Sequence, residues 1–251
     1  MLDKILAHKR EELKNLRLLN TKRTKPVLNF CASLRKKPVI AEVKKASPSL
    51  GDINVTADPV KQAKDYERLG AGAVSVLCDE KFFKGSIYDL AEVAKNISLP
   101  VLCKDFILDE RQIINAYNAG ADCVLLMASA LGKAEMMPLA AKARELGLEV
   151  LFEVHALDEI ETVTACSPKL LGVNNRNLKT LEIDMGYGSE MLKILAMQEE
   201  YLLVAESGMR TPMDVIFMKD AGAKAFLIGS GLMGAGDLDE LFKVILEAAC
   251  S

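Results

Sequence analysis

Short apolar runs of strand length recur along this chain at 38–42, 73–77, 101–104, 123–127, 149–153, 170–174, 202–206 and 225–228. Between them the period changes. Stretches such as PVKQAKDYERLG, DERQIINAYNAG and KAEMMPLAAKARELG repeat apolar positions every three to four residues, as a helix with one buried face does. Each interval has room for one helix and two short loops, which a crossover between parallel strands requires. Eight such units predict an α/β fold, a closed (β/α)8 TIM barrel, with an open doubly wound sheet as the alternative. No G-x-G-x-x-G follows the first strand, which disfavours the open sheet. Turns at Gly72, Gly120 and Gly222, each glycine between two alanines, echo one another. A glycine there is expected to stop the preceding helix in left-handed conformation.

Two segments are extra to the repeat. Residues 1–17 place Leu2, Ile5, Leu6, Leu13 and Leu16 largely on one helical face, predicting an amphipathic helix ahead of the barrel. The expected division is a helical extension over about 1–35 and a barrel over about 36–251, together one domain. The first strand runs into a long loop rich in Ser, Pro, Gly and Asp, and loops of that length at a barrel rim usually have a task.

Composition narrows the function classes. The 251 residues are 50% hydrophobic and 27% charged, so a large core is available and disorder is excluded. With 32 basic and 35 acidic residues and no block of either sign, neither nucleic acid nor a membrane surface is an expected partner. No apolar run is long enough to span a bilayer, and the charged amino end does not read as a signal peptide. A soluble, cytoplasmic protein is expected. Six cysteines without a C-x-x-C pair give no disulfide framework, and two histidines, His8 and His155, give no metal site.

In a barrel of this kind the chemistry sits where strands end. Seven of the eight strands end in charged, amide or hydroxyl residues, and only the fourth ends apolar. These residues are Glu42 and Lys44, Asp79 and Glu80, Lys104, Glu153, Asn174 and Arg176, Glu206 and Ser207, and Gly229-Ser230. Strand alternation puts Glu42 with Lys44, Lys104 with Phe106, and Asn174 with Arg176 on shared faces. Any one of them could be a solvated loop residue, and Glu42 and Lys44 could be a structural ion pair. Together they favour a site. Lys104 beside Phe106 suits a lysine of lowered pKa, either a general acid or a Schiff-base nucleophile. Glu153, after an apolar run, is expected to be raised by burial and to act as acid or base. Ser207-Gly208 and Gly229-Ser230-Gly231 after the last two strands fit a phosphate cradle of backbone N–H groups. Phe82 and Phe83 fit either a hydrophobic plug or an aromatic lid. His155 is expected to be a hydrogen-bonded structural group, and His8 to be solvated.

The segments IAEVKKASPS, SVLCDEKFFKGS, LCKDFILDERQI, LFEVH, GVNNRNLKTLEID, AESGM and FLIGSGLM, with the amino-terminal LDKILAHKREEL, resemble in order the motifs of indole-3-glycerol phosphate synthases. The resemblance runs from about residue 2 to residue 233. It implies a barrel enzyme of tryptophan biosynthesis, a lyase that cyclises 1-(2-carboxyphenylamino)-1-deoxyribulose 5-phosphate with loss of CO2 and water. It implies Lys104 as the general acid of ring closure and Glu153 as the acid/base of the dehydration. Glu42 and Lys44 match an orienting carboxylate and a lysine near the substrate carboxylate; which lysine protonates at which step stays open. Asn174 and Arg176 match substrate-positioning groups, and Glu206 and Ser207 the rim of the seventh strand. The phosphate site maps to Ser47, Ser207-Gly208 and Gly229-Ser230, and the aromatic-ring pocket to Phe83, Phe106, Leu125 and Leu178. No cofactor and no metal are implied. The expected partner is a phosphorylated small molecule, on a monomer or weak homodimer that could associate with other enzymes of the pathway. Leu50, Gly231 and Gly234 depart from the usual motif pattern. Rival readings are a class I aldolase-like barrel with a Schiff base on Lys104, and a noncatalytic barrel that binds a phosphometabolite.

Overall fold

The computed structural model describes residues 1–47, 51–52, 58–198, 201–233 and 236–250. Eight strands close into a parallel barrel: β1 Val39–Val43, β2 Ala73–Leu77, β3 Val101–Lys104, β4 Cys123–Met127, β5 Glu149–Val154, β6 Leu170–Asn174, β7 Leu202–Glu206 and β8 Ala225–Ile228. Each strand pairs with its neighbours in the sequence, and β1 closes the ring against β8 through Val39↔Phe226 and Ile40↔Leu227. Alternation along the strands divides the apolar residues into two groups. Ile40, Leu102, Leu125, Leu151, Leu170 and Leu202 fill the barrel. Val39, Val101, Val124, Val150, Leu171 and Leu203 face outward into the layer between sheet and helices.

The helices of that layer start and stop on local signals. Asp58 caps α3 (Pro59–Leu69), which has proline in its first turn, and Asp109 closes a capping box on α6 (Glu110–Ala119). The echo among the helix ends is real, but its register differs from expectation. Gly120 and Gly222 have φ of 100° and 114°, whereas the matching left-handed residue after α3 is Gly70, at φ 100°. Gly72 is glycine for another reason: a Cβ there would lie 1.8 Å from the Lys37 carbonyl oxygen. The repeat is therefore Gly-Ala, at 70–71, 120–121 and 222–223.

The extension packs against the interior cluster of the barrel at both ends. The helix Phe30–Lys36 sends Phe30, Cys31 and Leu34 into the interior cluster. At the other end α1 (Leu2–Lys14; the Phe30–Lys36 helix is α2) packs Leu2, Ile5 and Leu6 beside Phe106, Leu125 and Met127. Its polar side is anchored too. Lys9 is buried, 3.0 Å from both Asp79 and Asp105. His8 is not simply solvated, since it pairs with Glu12 at 2.9 Å and meets the Phe82 ring edge-on. In the loop after β1, Ala46–Ser47 and Gly51–Asp52 form a small antiparallel pair. The remaining helices are α4 (Glu80–Phe83), α5 (Ile87–Asn96), α7 (Lys133–Glu145), α8 (Ile160–Thr164), α9 (Met185–Ala196), α10 (Pro212–Asp220), α11 (Ser230–Met233) and α12 (Leu238–Cys250). No helix among the described residues is long and apolar enough to cross a membrane.

Candidate active site

One pocket opens at the carboxyl ends of the strands. Glu42, Lys44, Lys104, Glu153, Asn174, Arg176, Glu206, Ser207, Gly208, Gly229 and Ser230 all line it, as do Phe83, Phe106, Leu125 and Leu178. The Ser47 side chain lies outside the described residues, and so do Leu50 and Gly234.

Lys104 is the centre of the arrangement. Its Nζ lies 3.5 Å from Glu206, 3.6 Å from Glu153 and 3.9 Å from Glu42, while Lys44 holds the other Glu42 oxygen at 2.5 Å. The register explains the convergence: Lys104, Glu153 and Glu206 each end a run of inward-facing positions, and Asn174 sits directly opposite Glu206.

The electrostatics reverse two expectations. Burial alone would lower the Lys104 pKa, but Glu153, Glu206 and Glu42 outweigh it and hold the ammonium above the ordinary lysine value. The sequence showed the apolar wall at Phe106 but not the three carboxylates brought from distant strands. Burial alone would likewise raise Glu153. Lys104 and His155 overcome it, with help from Glu206 and Asn174, and Glu153 lies below the usual carboxylate value. The raised carboxyl is Glu206: it is buried, faces the Glu153 charge and shares Lys104 with it. Of the two buried carboxyls, Glu206 is therefore the harder to ionise and Glu153 the easier.

Close approach by glycine makes room for these groups. A Cβ on Gly172 would lie 2.1 Å from a Glu206 oxygen, and one on Gly229 would lie 2.3 Å from a Glu42 oxygen. Across the pocket the Phe83 and Phe106 rings meet with centroids 6.1 Å apart, so Phe83 belongs to the pocket wall while Phe82 packs on α1. Arg176 donates to the Leu181 carbonyl at 2.8 Å. Burial and the nearby Arg210 lower its pKa slightly, as expected for two guanidiniums near one opening. Ser207 and Gly208 are both left-handed, at φ 65° and 93°, in the turn after β7.

Several lining residues were not singled out from the sequence. Met1, Leu2 and Ile5 of α1 form part of the wall, and Arg210 stands at the rim. The apolar face of α1 was legible as a docking face, but nothing in its periodicity said that it docks onto the pocket. His155, expected to be a hydrogen-bonded structural group, has its Nε2 3.2 Å from Glu153, and neither ring nitrogen has a hydrogen bond of good geometry among the described residues. Among the described residues there is no cluster of three or more His, Cys, Asp or Glu side chains able to hold a metal ion. The cysteines are all free. Five are buried, and burial pushes the Cys31 thiol up to about 12.

The family model for indole-3-glycerol phosphate synthase matches residues 2–245. An indole-3-glycerol phosphate synthase of Bacillus cereus is 45% identical over 245 residues, covering 97% of this chain and 96% of the relative. Those of Bacillus anthracis and Bacillus thuringiensis are 44% identical with the same coverage. Among solved structures, a 3-hexulose-6-phosphate synthase superposes with a TM-score of 0.65 at 15% identity, over 84% of this chain and 99% of that one; this likeness speaks to the barrel alone.

Proposed function

The chain belongs to the indole-3-glycerol phosphate synthase family, and from that premise we propose how its rim pocket makes indole-3-glycerol phosphate from 1-(2-carboxyphenylamino)-1-deoxyribulose 5-phosphate, acting as a carboxy-lyase of tryptophan biosynthesis in the cytoplasm. The observation that carries the assignment of roles is the Lys104 ammonium ringed by three carboxylates on the pocket floor. A carbon–carbon bond forms between the ring carbon bearing the carboxylate and the ribulose ketone. The ketone oxygen gains charge as it does so, and Lys104 donates a proton to it. Loss of CO2 restores the aromatic ring. Water then leaves: the hydroxyl departs with a second proton, and the neighbouring carbon, formerly C1 of the ribulose, gives one up. Glu153, already ionised, is the base that takes it. Glu206, which burial and the Glu153 charge raise, is the group beside it better suited to hold a proton.

The two reacting ends are held by anchors on opposite walls, which converts binding energy into orientation. Phe83, Phe106, Leu125 and Leu178 enclose the aromatic ring. Lys44, oriented by Glu42, and Arg176 face its carboxylate, and Asn174 positions the chain between. The turns at Ser207-Gly208 and Gly229-Ser230, with Ser47, take the phosphate. An ammonium held above the ordinary lysine value is a poor amine nucleophile, which speaks against the Schiff-base reading.

A direct assay tests this. The protein is mixed with the carboxyphenylamino-deoxyribulose phosphate, and indole fluorescence is followed with no metal or cofactor added. Lys104→Ala should lose turnover by at least about 100-fold while binding product nearly as before. Losses of equal size in binding and rate would reduce Lys104 to an anchor. Borohydride trapping of a Lys104 adduct would favour the aldolase-like chemistry instead.

A further inference from the structure

Glu153 is 1% exposed, so a proton it accepts has no direct aqueous exit while substrate or product fills the pocket. His155 follows it by two residues, just past the end of β5, and its ring stands against the Glu153 carboxyl. The histidine side chain is 10% exposed. Its Nε2 lies 3.2 Å from Glu153 Oε1, and its Nδ1 lies 3.9 Å from Glu159 Oε2. Neither ring nitrogen has a hydrogen bond of good geometry to another group among the described residues. A histidine kept for packing normally commits a nitrogen to a backbone carbonyl or hydroxyl. This one faces a carboxylate on each side.

Glu159 is held where it can serve the ring. Its Oε2 accepts the backbone N–H of His155 at 2.6 Å, and the Ala156 N–H reaches the same carboxyl. It is partly open to solvent, unlike Glu153. The other charged or titratable groups around this cluster are Asp158 beside Glu159 and Tyr187, whose hydroxyl accepts from the Leu157 N–H at 3.4 Å. Lys104 and Glu206 lie on the far side of Glu153.

We propose that His155 is the positioning residue and proton exit for Glu153, with Glu159 bracing its far nitrogen. The proposal rests on the reading of Glu153 as the base of the dehydration. Once Glu153 has taken the substrate proton, its O–H passes that proton to Nε2, restoring the carboxylate and leaving an imidazolium. Glu159 stabilises the imidazolium, which releases the proton to water at its exposed edge. One O–H bond and then one N–H bond break, and each proton given up by substrate reaches solvent with no other reactant. The arrangement resembles a carboxylate–histidine pair in which the carboxylate orients the ring and steadies its charged form.

The test uses the whole enzyme in three variants: His155→Asn, His155→Ala and Glu159→Gln. The glutamine keeps an oxygen for the backbone N–H groups while removing the charge. His155→Asn should lower kcat about 10- to 100-fold with KM within about twofold, and should enlarge the solvent deuterium isotope effect. Added imidazole should restore much of the rate in His155→Ala, and Glu159→Gln should lower kcat by a smaller factor. Wild-type kcat in His155→Asn overturns the proposal. A loss that imidazole does not restore, paired with wild-type kcat in Glu159→Gln, marks a packing role and overturns it too. Glu153→Gln separates the two levels. If that variant turns over normally, the base assignment falls and takes this proposal with it; if it is inactive while His155→Asn is unimpaired, only the proposal falls.

Discussion

Replacing Lys9 by methionine tests whether the amino-terminal helix is part of the pocket or only rests on it. Lys9 Nζ lies 3.0 Å from Asp79, 3.0 Å from Asp105 and 2.9 Å from Glu12, with its side chain 6% exposed. Burial alone would lower its pKa, yet Asp105, Asp79 and Glu12 hold it well above the ordinary lysine value. Asp105 directly follows Lys104, so this cluster joins α1 to the strand that carries the central cation. At 3.0 Å and an effective dielectric of about 20, each contact is worth about 5 kcal/mol before desolvation. Removing one partner from a buried set costs about 3–5 kcal/mol net. For a chain of this size that is a fall in Tm on the order of 10 °C.

The pH dependence separates lost charge from lost packing. Lys9, raised, contributes fully below the unfolded lysine pKa and fades only as pH climbs through its higher folded value, so its own contribution is constant from acid to mildly alkaline pH. Asp105 is raised by burial against the pull of Lys9; its contribution is complete below the ordinary carboxylate range and lost as pH rises through the folded value. Without Lys9 that folded value climbs further, and the loss extends over a wider window. The Tm gap between wild type and Lys9→Met should therefore widen from about pH 4.5 to pH 7.5. Scanning calorimetry at three pH values and steady-state turnover are the assays. Because Met1, Leu2 and Ile5 stand in the pocket wall, KM should rise several-fold in the variant. A Tm gap that is the same at every pH would mean that Lys9 contributes packing alone. An unchanged KM would refute the link between helix and pocket.

Burial and the Glu153 charge raise Glu206, so its replacement by a neutral amide, Glu206→Gln, should cost at least about tenfold less in kcat than Glu153→Gln; equal losses would contradict this division between the two carboxyls. Since Glu153 lies below the usual carboxylate value, its service as a base is available above that value and lost only as pH falls through it. The Glu206→Gln variant should accordingly show a flat kcat/KM down to about pH 5, and a limb near pH 7 would refute the reading. Gly172→Ala drives a methyl to 2.1 Å from the Glu206 carboxyl and 3.3 Å from Leu151, and should cost about 1–3 kcal/mol in denaturant unfolding together with a loss of rate. Wild-type stability there would show that Glu206 moves aside freely.

The barrel was legible because its signals are local. A run such as CVLLM or LLVAE is too short for a helix, and the interval after it has helical period, so each unit declares itself without its neighbours. The echo among the turns was legible one step out of register, since both Gly70 and Gly72 precede β2 and only the dihedrals distinguish them. The identities of the rim residues could be read from strand ends, because closure of the barrel fixes which residues face inward. Their charge states could not. Phe106 beside Lys104 and the apolar run before Glu153 are local facts and point to desolvation. The groups that reverse the outcome are Glu42, Glu153 and Glu206 of β1, β5 and β7 for Lys104, and Lys104 of β3 with His155 for Glu153, and no spacing along the chain states that these strands' groups meet. The surroundings of His155 were legible only in part: Glu153 and Glu159 are near it in the sequence, but the ring's want of a hydrogen bond of good geometry among the described residues is a property of the packed site.

The protonation pattern follows from a count of charges on the pocket floor. Lys44 is committed to Glu42 at 2.5 Å, which leaves Lys104 shared between Glu153 and Glu206 at nearly equal distances. One cation between two buried carboxyls favours one negative charge over two, so one of the pair is the better holder of a proton. Which one keeps it is decided by the neighbours beyond Lys104. Glu153 has the Asn174 amide and the His155 ring at hand, both of which favour its charged form. Glu206 faces the bare backbone of Gly172 and the Glu153 charge, and both its oxygens, like Glu153 Oε2, are without a hydrogen bond of good geometry among the described residues. A glycine that admits the carboxyl but offers it no donor thus leaves Glu206 the harder of the two to ionise, and Glu153, 3.6 Å from Lys104, the easier.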